Sequence, residues 1–151
     1  MKHYIDTYIK SSLSKSTWID KDLVENTGLS KGQVSKLKNG SVERLTAEVF
    51  YRIYTAFGDT CTKATKAVYP DLDLKLNKYK PKERNAFGKF MLQFETSVNS
   101  IEEISVKTGI DENRLKNLYF RRGSLEAYEL LLIEKAVGKK QGELFEEIYG
   151  R

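Results

Sequence analysis

The stretch Leu23-Val24-Glu25-Asn26-Thr27-Gly28-Leu29-Ser30-Lys31-Gly32-Gln33-Val34-Ser35-Lys36-Leu37-Lys38-Asn39-Gly40 decides the fold. Gly28 falls where a first helix must stop and turn, because a glycine takes φ > 0 without a Cβ clash. Ser30 stands two residues later, at the cap of a second helix. At about 100° per residue Val34 and Leu37 share one face, so Gly32, Ser35 and Lys36 point away and Lys31 and Gln33 flank them. Two helices joined by a tight glycine turn, the second short and polar outside, form a helix-turn-helix.

Working outward, Ile5, Tyr8, Ile9 and Leu13 predict an amphipathic helix before this unit. Val49, Phe50, Ile53 and Phe57 predict one after it. The order then recurs. Residues 104–115, Ile-Ser-Val-Lys-Thr-Gly-Ile-Asp-Glu-Asn-Arg-Leu, align on residues 23–34 at an offset of 81, with Thr27-Gly28 on Thr108-Gly109 and Ser30 on Asp111. Farther on the offset is 80, pairing Ala47 with Ala127, Phe50 with Leu130, Ile53 with Ile133 and Gly58 with Gly138. A true duplication accounts for this agreement. Phe87, Phe90, Met91 and Phe94 read as the counterpart of the first helix, with Pro81 at its start. Ser100 and Glu103 make a capping box for the next helix. The matching Ile19 lacks a hydroxyl, so Thr17 is the candidate cap there.

Residues 16–58 resemble the lambda-repressor-like, or XRE, helix-turn-helix family. The resemblance rests on Leu23 to Ser30, Val34-Ser35-Lys36-Leu37, Asn39-Gly40, Ile53 and Ala56-Phe57-Gly58. It covers about a third of the chain. It implies a small helical bundle that reads duplex DNA with its third helix. Val24 stands where the family has a small alanine, and Asp20 stands where the family often has a polar phosphate contact. A carboxylate there repels phosphate, with Lys21 beside it as compensation. The second unit resembles the family less: Leu118-Tyr119-Phe120-Arg121-Arg122-Gly123 carries two extra residues before its glycine, and Glu112 opens its third helix. The expected architecture is all-α, with two tandem lambda-repressor-like bundles over residues 1–70 and 83–151 and a short extended linker over 71–82. Two such modules are expected to pack together or act on adjacent half-sites.

The linker itself alternates Leu72, Leu74 and Leu76 with polar residues. That period suits either an extended segment packing its leucines on one unit or a short strand pairing with a second chain.

Charge favours the first unit as the polyanion binder. The chain carries 26 Lys and Arg against 21 Asp and Glu, a net +5. Residues 1–70 hold +4 of it, and residues 84–151 are neutral. Lys31, Lys36 and Lys38 face no acid between Ser30 and Gly40. Lysine reaches guanine or phosphate, Gln33 pairs with adenine, and Ser35 shares their face. Lys38 and Asn39 open a loop suited to gripping phosphate. In the second unit Asn113, Lys116 and Asn117 point outward, with Arg114 at the flank and Arg121 and Arg122 in the following loop. This second face reads either as a DNA contact or as a copy kept for packing or dimerisation. Tyr51, Tyr54, Tyr69, Tyr128 and Tyr149 lie near apolar stripes and read as core or interface residues rather than base-stacking platforms.

Little in the sequence suggests catalysis. His3 is the one histidine, in a terminal segment expected to fray, and Cys61 the one cysteine, read as a small half-buried residue. A single cysteine excludes an internal disulfide and a cysteine-based zinc site. Phosphate-loop, dinucleotide and zinc-protease motifs are missing. No cofactor, metal or catalytic residue is expected, and no signal peptide or membrane span. The expectation is a cytoplasmic, bacterial-type, nucleoid-associated protein that binds double-stranded DNA in a sequence-specific way and regulates transcription by occupying an operator. The two units are expected to pack on each other, or on a second chain, through their closing helices, Val68-Tyr69 and Leu144 to Tyr149, and the favoured arrangement is a homodimer in which the first units read the DNA and the second units help hold the dimer. The rival is a protein-interaction module, an antitoxin or adaptor, holding a protein partner through residues 83–151.

Overall fold

The computed structural model describes residues 1–94, 99–121 and 123–150. Among them it is all-helical: ten α-helices, a 3-10 turn, and a single isolated β-bridge. The N-terminal half contains α1 (Ile5–Ser16), α2 (Asp20–Thr27), α3 (Lys31–Lys38), α4 (Ala47–Ala56) and α5 (Cys61–Val68). Helix α1 lies across α3 and α5, and α2 packs on α3 and α4. Ile5, Ile9, Leu23, Val34, Leu37, Phe50 and Ile53 are buried between them, as their helical spacing dictates.

Capping chemistry sets the helix starts. Ser30, Thr46 and Thr60 each accept a backbone N–H from three residues on, at 3.1–3.3 Å. Thr17 is not the cap of α2. It ends α1 at φ 55°, while the Asp22 carboxylate accepts from Ile19 N–H at 2.9 Å and closes the α2 start. The N-terminal segment is anchored rather than frayed. Tyr4 N–H donates to the Val68 carbonyl at 2.7 Å, and His3 Nε2 lies 3.1 Å from the Glu43 carbonyl.

The C-terminal half contains α6 (Ala86–Met91) with a 3-10 turn at Leu92–Phe94, then α7 (Ile101–Thr108), α8 (Glu112–Phe120), α9 (Ala127–Ala136) and α10 (Glu143–Tyr149). The helix expected from Pro81 begins five residues later. Lys80 precedes a proline and stays extended, and Asn85 then caps the helix by accepting from Gly88 N–H at 2.9 Å. Helix α6 buries none of its described residues, so the amphipathic face read from Phe87, Phe90 and Phe94 is open.

The two halves share one core. Ala127, Leu130 and Leu131 of α9 and Phe145 of α10 belong to the same apolar cluster as Phe50 and Tyr54 of α4. Their contact is reciprocal: Ala47 N–H donates to the Leu125 carbonyl at 2.8 Å, and Ala127 N–H donates to the Leu45 carbonyl at 2.9 Å. Helix α10 crosses onto α4, with Phe145 edge-on to Phe50 at 5.7 Å. Val68 of α5 and Phe145 of α10 are therefore buried inside the chain, while Ile148 of α10 stays exposed. At the start of α10 the buried Glu134 carboxylate accepts from Gly142 N–H at 3.1 Å and Leu144 N–H at 2.8 Å. A second, smaller cluster joins Ile104, Ile110, Leu115 and Leu132.

Residues 71–77 form no strand. They run extended with alternating burial, Leu72 and Leu74 packed on the core and Leu74 touching both clusters. Asn77 pins this run to the end of α7, donating N–H to the Lys107 carbonyl at 2.9 Å and Nδ2 to the Val106 carbonyl at 3.1 Å.

Candidate nucleic-acid interface

The turn between α2 and α3 is built by three residues. Gly28 takes φ 73°, which a Cβ disfavours. Thr27 Oγ1 donates to the Leu23 carbonyl at 2.6 Å and accepts from Leu29 N–H at 3.2 Å, so the buried hydroxyl is satisfied on both sides. Ser30 and Gln33 then form a capping box, with Ser30 N–H donating to Gln33 Oε1 at 2.9 Å. Val34 and Leu37 anchor α3 in the core, and α1 covers its inner side.

The outer face of α3 holds Lys31, Gly32, Gln33, Ser35 and Lys36, all exposed. Lys31 and Lys36 are not in an ion pair among the described residues, and their charge faces solvent. Gln33 has one end engaged in the capping box, which steadies the side chain and leaves its amide nitrogen for another partner. Lys38 is half-buried, and its ammonium donates to the Asp20 carboxylate at 2.9 Å. That pair neutralises the carboxylate expected to repel phosphate. Lys21, the compensating residue read from sequence, instead sits 4.0 Å from Glu25. Asn39 follows α3 and its Oδ1 accepts from both the N–H and the hydroxyl of Ser41, which shapes the turn at Gly40.

Arg44 completes this surface and was not singled out in the sequence. It is exposed and lines a shallow groove with Gln33, Lys36 and Val42. Neither helical periodicity nor the acid-free run 30–40 reaches a loop residue that sits beside Glu43.

The turn between α7 and α8 repeats the glycine and threonine bonds of the first. Gly109 takes φ 77°, Thr108 Oγ1 donates to the Ile104 carbonyl at 2.6 Å, and Ile110 N–H donates to Thr108 Oγ1 at 3.2 Å. Asp111 caps α8 through Asn113 and Arg114 N–H. The outer face differs. Asn113 and Asn117 are exposed, and Lys116 lies 3.6 Å from Glu112, so the two charges offset each other. Arg114 is turned inward. Its Nε and Nη2 donate to the two oxygens of buried Glu129 at 2.9 and 2.8 Å, and Nη2 also donates to the Ser124 carbonyl at 2.8 Å. The Glu129 carboxylate holds the guanidinium pKa above its ordinary value. One edge of the guanidinium, Nε and Nη2, is thus committed to Glu129 and Ser124. Arg121 is exposed after α8, and Arg122 lies outside the described residues.

No group of His, Cys, Asp and Glu among the described residues is arranged to hold a metal ion. Burial pushes the Cys61 thiol up to about 11, so it stays protonated and unreactive at neutral pH. Tyr54 and Tyr69 are buried in the core, and Tyr51, Tyr128 and Tyr149 pack against it. No helix among the described residues is long and apolar enough to cross a membrane.

No curated protein and no solved structure matches the chain. Residues 13–60 match the family model of the Cro/C1-type HTH DNA-binding domain, a span that holds α2, α3 and α4 and supports an XRE-like helix-turn-helix there.

Proposed function

We propose that this protein is a transcriptional regulator that binds double-stranded DNA in a sequence-specific way and acts by occupying an operator. The observation that carries this reading is α3. Its apolar face is locked into the core, and its outward face of Lys31, Gln33, Ser35 and Lys36 bears no acidic side chain. A rigid short helix with that face suits the major groove. Lys31 and Lys36 reach base edges or phosphate, Gln33 offers its amide to adenine, and Lys38, Asn39 and Arg44 flank at backbone height. No step of this mechanism is chemical, and the protein is not an enzyme.

In the same reading, residues 71–82 link a first unit over 1–70 to a divergent second helix-turn-helix over 83–151. The repeated turn hydrogen bonds at Thr27 and Thr108 support it, as does the reciprocal pairing of Leu45–Ala47 with Leu125–Ala127. The second unit contributes little to affinity, because Arg114 is committed to Glu129 and Lys116 is offset by Glu112. Asn113, Asn117 and Arg121 remain its available contacts. Action on DNA places the protein in the cytoplasm, at the nucleoid. One observation favours a second reading, a protein-interaction role for residues 83–151: Tyr119 and Phe120 stand exposed on α8.

Selection of a preferred site from random duplexes, followed by affinity measured at several salt concentrations, tests the proposal. If about 4–6 phosphates are neutralised, log affinity falls with log salt at a slope of about −4 to −5. A slope near zero for every duplex overturns it.

A further inference from the structure

The joint between the two halves has a local two-fold axis. Thr46 and Glu126 are counterparts at an offset of 80, and they form an antiparallel bridge. The bonds beside it are exchanged, Ala47 N–H to the Leu125 carbonyl and Ala127 N–H to the Leu45 carbonyl. Segments that exchange equivalent bonds in this way are related by a half-turn about an axis through the bridge. Each helix-turn-helix is held on its own side of that axis by the same packing: α2 lies on α3 and α4, and α7 lies on α8 and α9. The half-turn that carries α4 onto α9 therefore carries α3 onto α8. The flanking helices depart from this symmetry, with α1 and α5 packed on each other and α10 on α4.

Both outer helices also border one surface. Gln33 and Lys36 of α3 line a groove with Arg44, Leu45 and Thr46, next to the bridge. At the counterpart of Gln33, Arg114 of α8 donates to the Ser124 carbonyl, on the other side of the bridge. Arg44 lines the first groove and also a second one, with Asp111, Arg114 and Glu126. Arg44 thus joins the margin of α3 to the start of α8. The two outward faces are unequal. Lys36 has Asn117 as its counterpart at an offset of 81, and Lys116 is offset by Glu112.

We propose that a single copy of this protein reads both halves of an imperfect inverted repeat, α3 on one half-site and α8 on the other. The inference rests on the DNA reading above and adds the symmetry of the site and the number of chains on it. Reading helices related by a half-turn match the two-fold axes of duplex DNA when the half-sites are inverted, not when they run in tandem. Half-sites about one helical turn apart present successive major grooves on one side of the duplex. The repeat is imperfect because the faces differ: α3 offers lysines and Gln33, whereas α8 offers Asn113 and Asn117, whose amides suit adenine. The α3 half-site carries most of the affinity, and the α8 half-site adds the remainder and fixes the orientation. Because the halves share one core, the spacing and orientation of the two reading helices are set within the chain.

The site selected from random duplexes tests it, with sedimentation velocity counting the chains on that duplex. The expected result is two unequal inverted half-sites and one chain per duplex. Inserting about five base pairs between the half-sites turns them to opposite faces of the DNA, and reversing the weaker one makes a direct repeat. Each change is expected to reduce affinity to that of the α3 half-site alone. The pair Asn113→Ala/Asn117→Ala alters exposed residues, so helical circular dichroism is expected to be unchanged. Its affinity is expected to fall about tenfold on the full site and to stay the same on a duplex carrying only the α3 half-site. A selected site with one half only, two chains on the full site, indifference to the inserted base pairs, or a full-site affinity untouched by the asparagine pair overturns this inference, while specific, salt-dependent binding still upholds the DNA reading. Salt-independent binding to every duplex overturns both.

Discussion

Thr46 and Glu126 face each other across a single antiparallel bridge, each one residue before the helix that carries its half of the core. They are counterparts in the alignment of the two halves, so the backbone pairs each half with its own image. Leu45 and Leu125 supply the acceptors, and Ala47 and Ala127 the donors. Small alanines at the crossing let the two backbones approach closely enough for those bonds.

Cooperative unfolding follows from this joint. Phe145 of α10 is fully buried against Phe50 and Tyr54 of α4. Calorimetry of the wild type is expected to show one transition across both halves. Phe145→Ala leaves a cavity at the joint and costs roughly 3–5 kcal/mol. The expected outcome for this variant is two resolved transitions, and a single shifted one would mean that the bridge and the α9 residues Ala127, Leu130 and Leu131 suffice to couple the halves.

Lys36 and Arg114 are expected to separate binding from stability. Lys36→Ala removes an exposed charge on the outer face of α3, so its denaturation midpoint is unchanged. Its affinity for the preferred duplex falls by about 1–3 kcal/mol if it reads a base. Loss of equal size on scrambled DNA assigns it to phosphate.

Arg114→Met does the reverse. It strands the Glu129 carboxylate, which is 2% exposed, without its cation. Removing one partner of such a pair costs about 3 kcal/mol, the low end for buried pairs because Arg114 keeps a solvent-facing edge. Urea denaturation measures the cost, and affinity measured well below the midpoint is expected to be unaltered.

Gly28 takes φ 73°, and a Cβ added there would meet Arg52 Nη1 at 3.6 Å, an ordinary contact, so space is not its constraint. Backbone strain is. Gly28→Val is expected to destabilise by roughly 1–3 kcal/mol, because a β-branched residue fits left-handed geometry poorly. A Gly28→Asn variant, better suited to that region, recovers part of the loss. Urea denaturation of the two variants beside the wild type checks this order.

Glu134 gives a pH signature. Burial pushes its carboxyl above the ordinary 4.5, against the backbone N–H groups of Gly142, Leu144 and Phe145 that favour the charged form. A carboxyl raised on folding binds its proton more tightly when folded. Its contribution is complete below pH 4.5 and declines as pH rises through the folded value. The stability difference between wild type and Glu134→Gln, followed by urea denaturation from pH 4.5 upward, is expected to shrink along that window. A difference that grows with pH would show that the three N–H donors dominate.

The helix-turn-helix at residues 23–40 was legible because every signal in it is local. Gly28, Ser30 and the Val34–Leu37 spacing each act within one or two turns of chain, and the structure keeps all of them. The alternation of Leu72, Leu74 and Leu76 left an extended packed run and a short strand both open, and the structure has Leu72 and Leu74 packed on the core with no strand formed. Helix α6 shows where local pattern ends. Phe87, Phe90 and Phe94 have the spacing of a buried face, yet spacing cannot say that a surface lies opposite.

Local chemistry along the chain sets helix starts, turns and inward faces, because caps, glycine φ and 3.6-residue periodicity are properties of neighbours in sequence. Which outward side chains stay free is a different matter. Lys38 meets Asp20 across 18 residues, Arg114 meets Glu129 across 15, and Tyr51 meets Glu146 across 95. Those partners are brought together only when helices pack. Lys36 and Arg114, both read from sequence as part of a DNA-facing surface, thus part ways, Lys36 on solvent and Arg114 inside an ion pair, and the tertiary structure alone decides which.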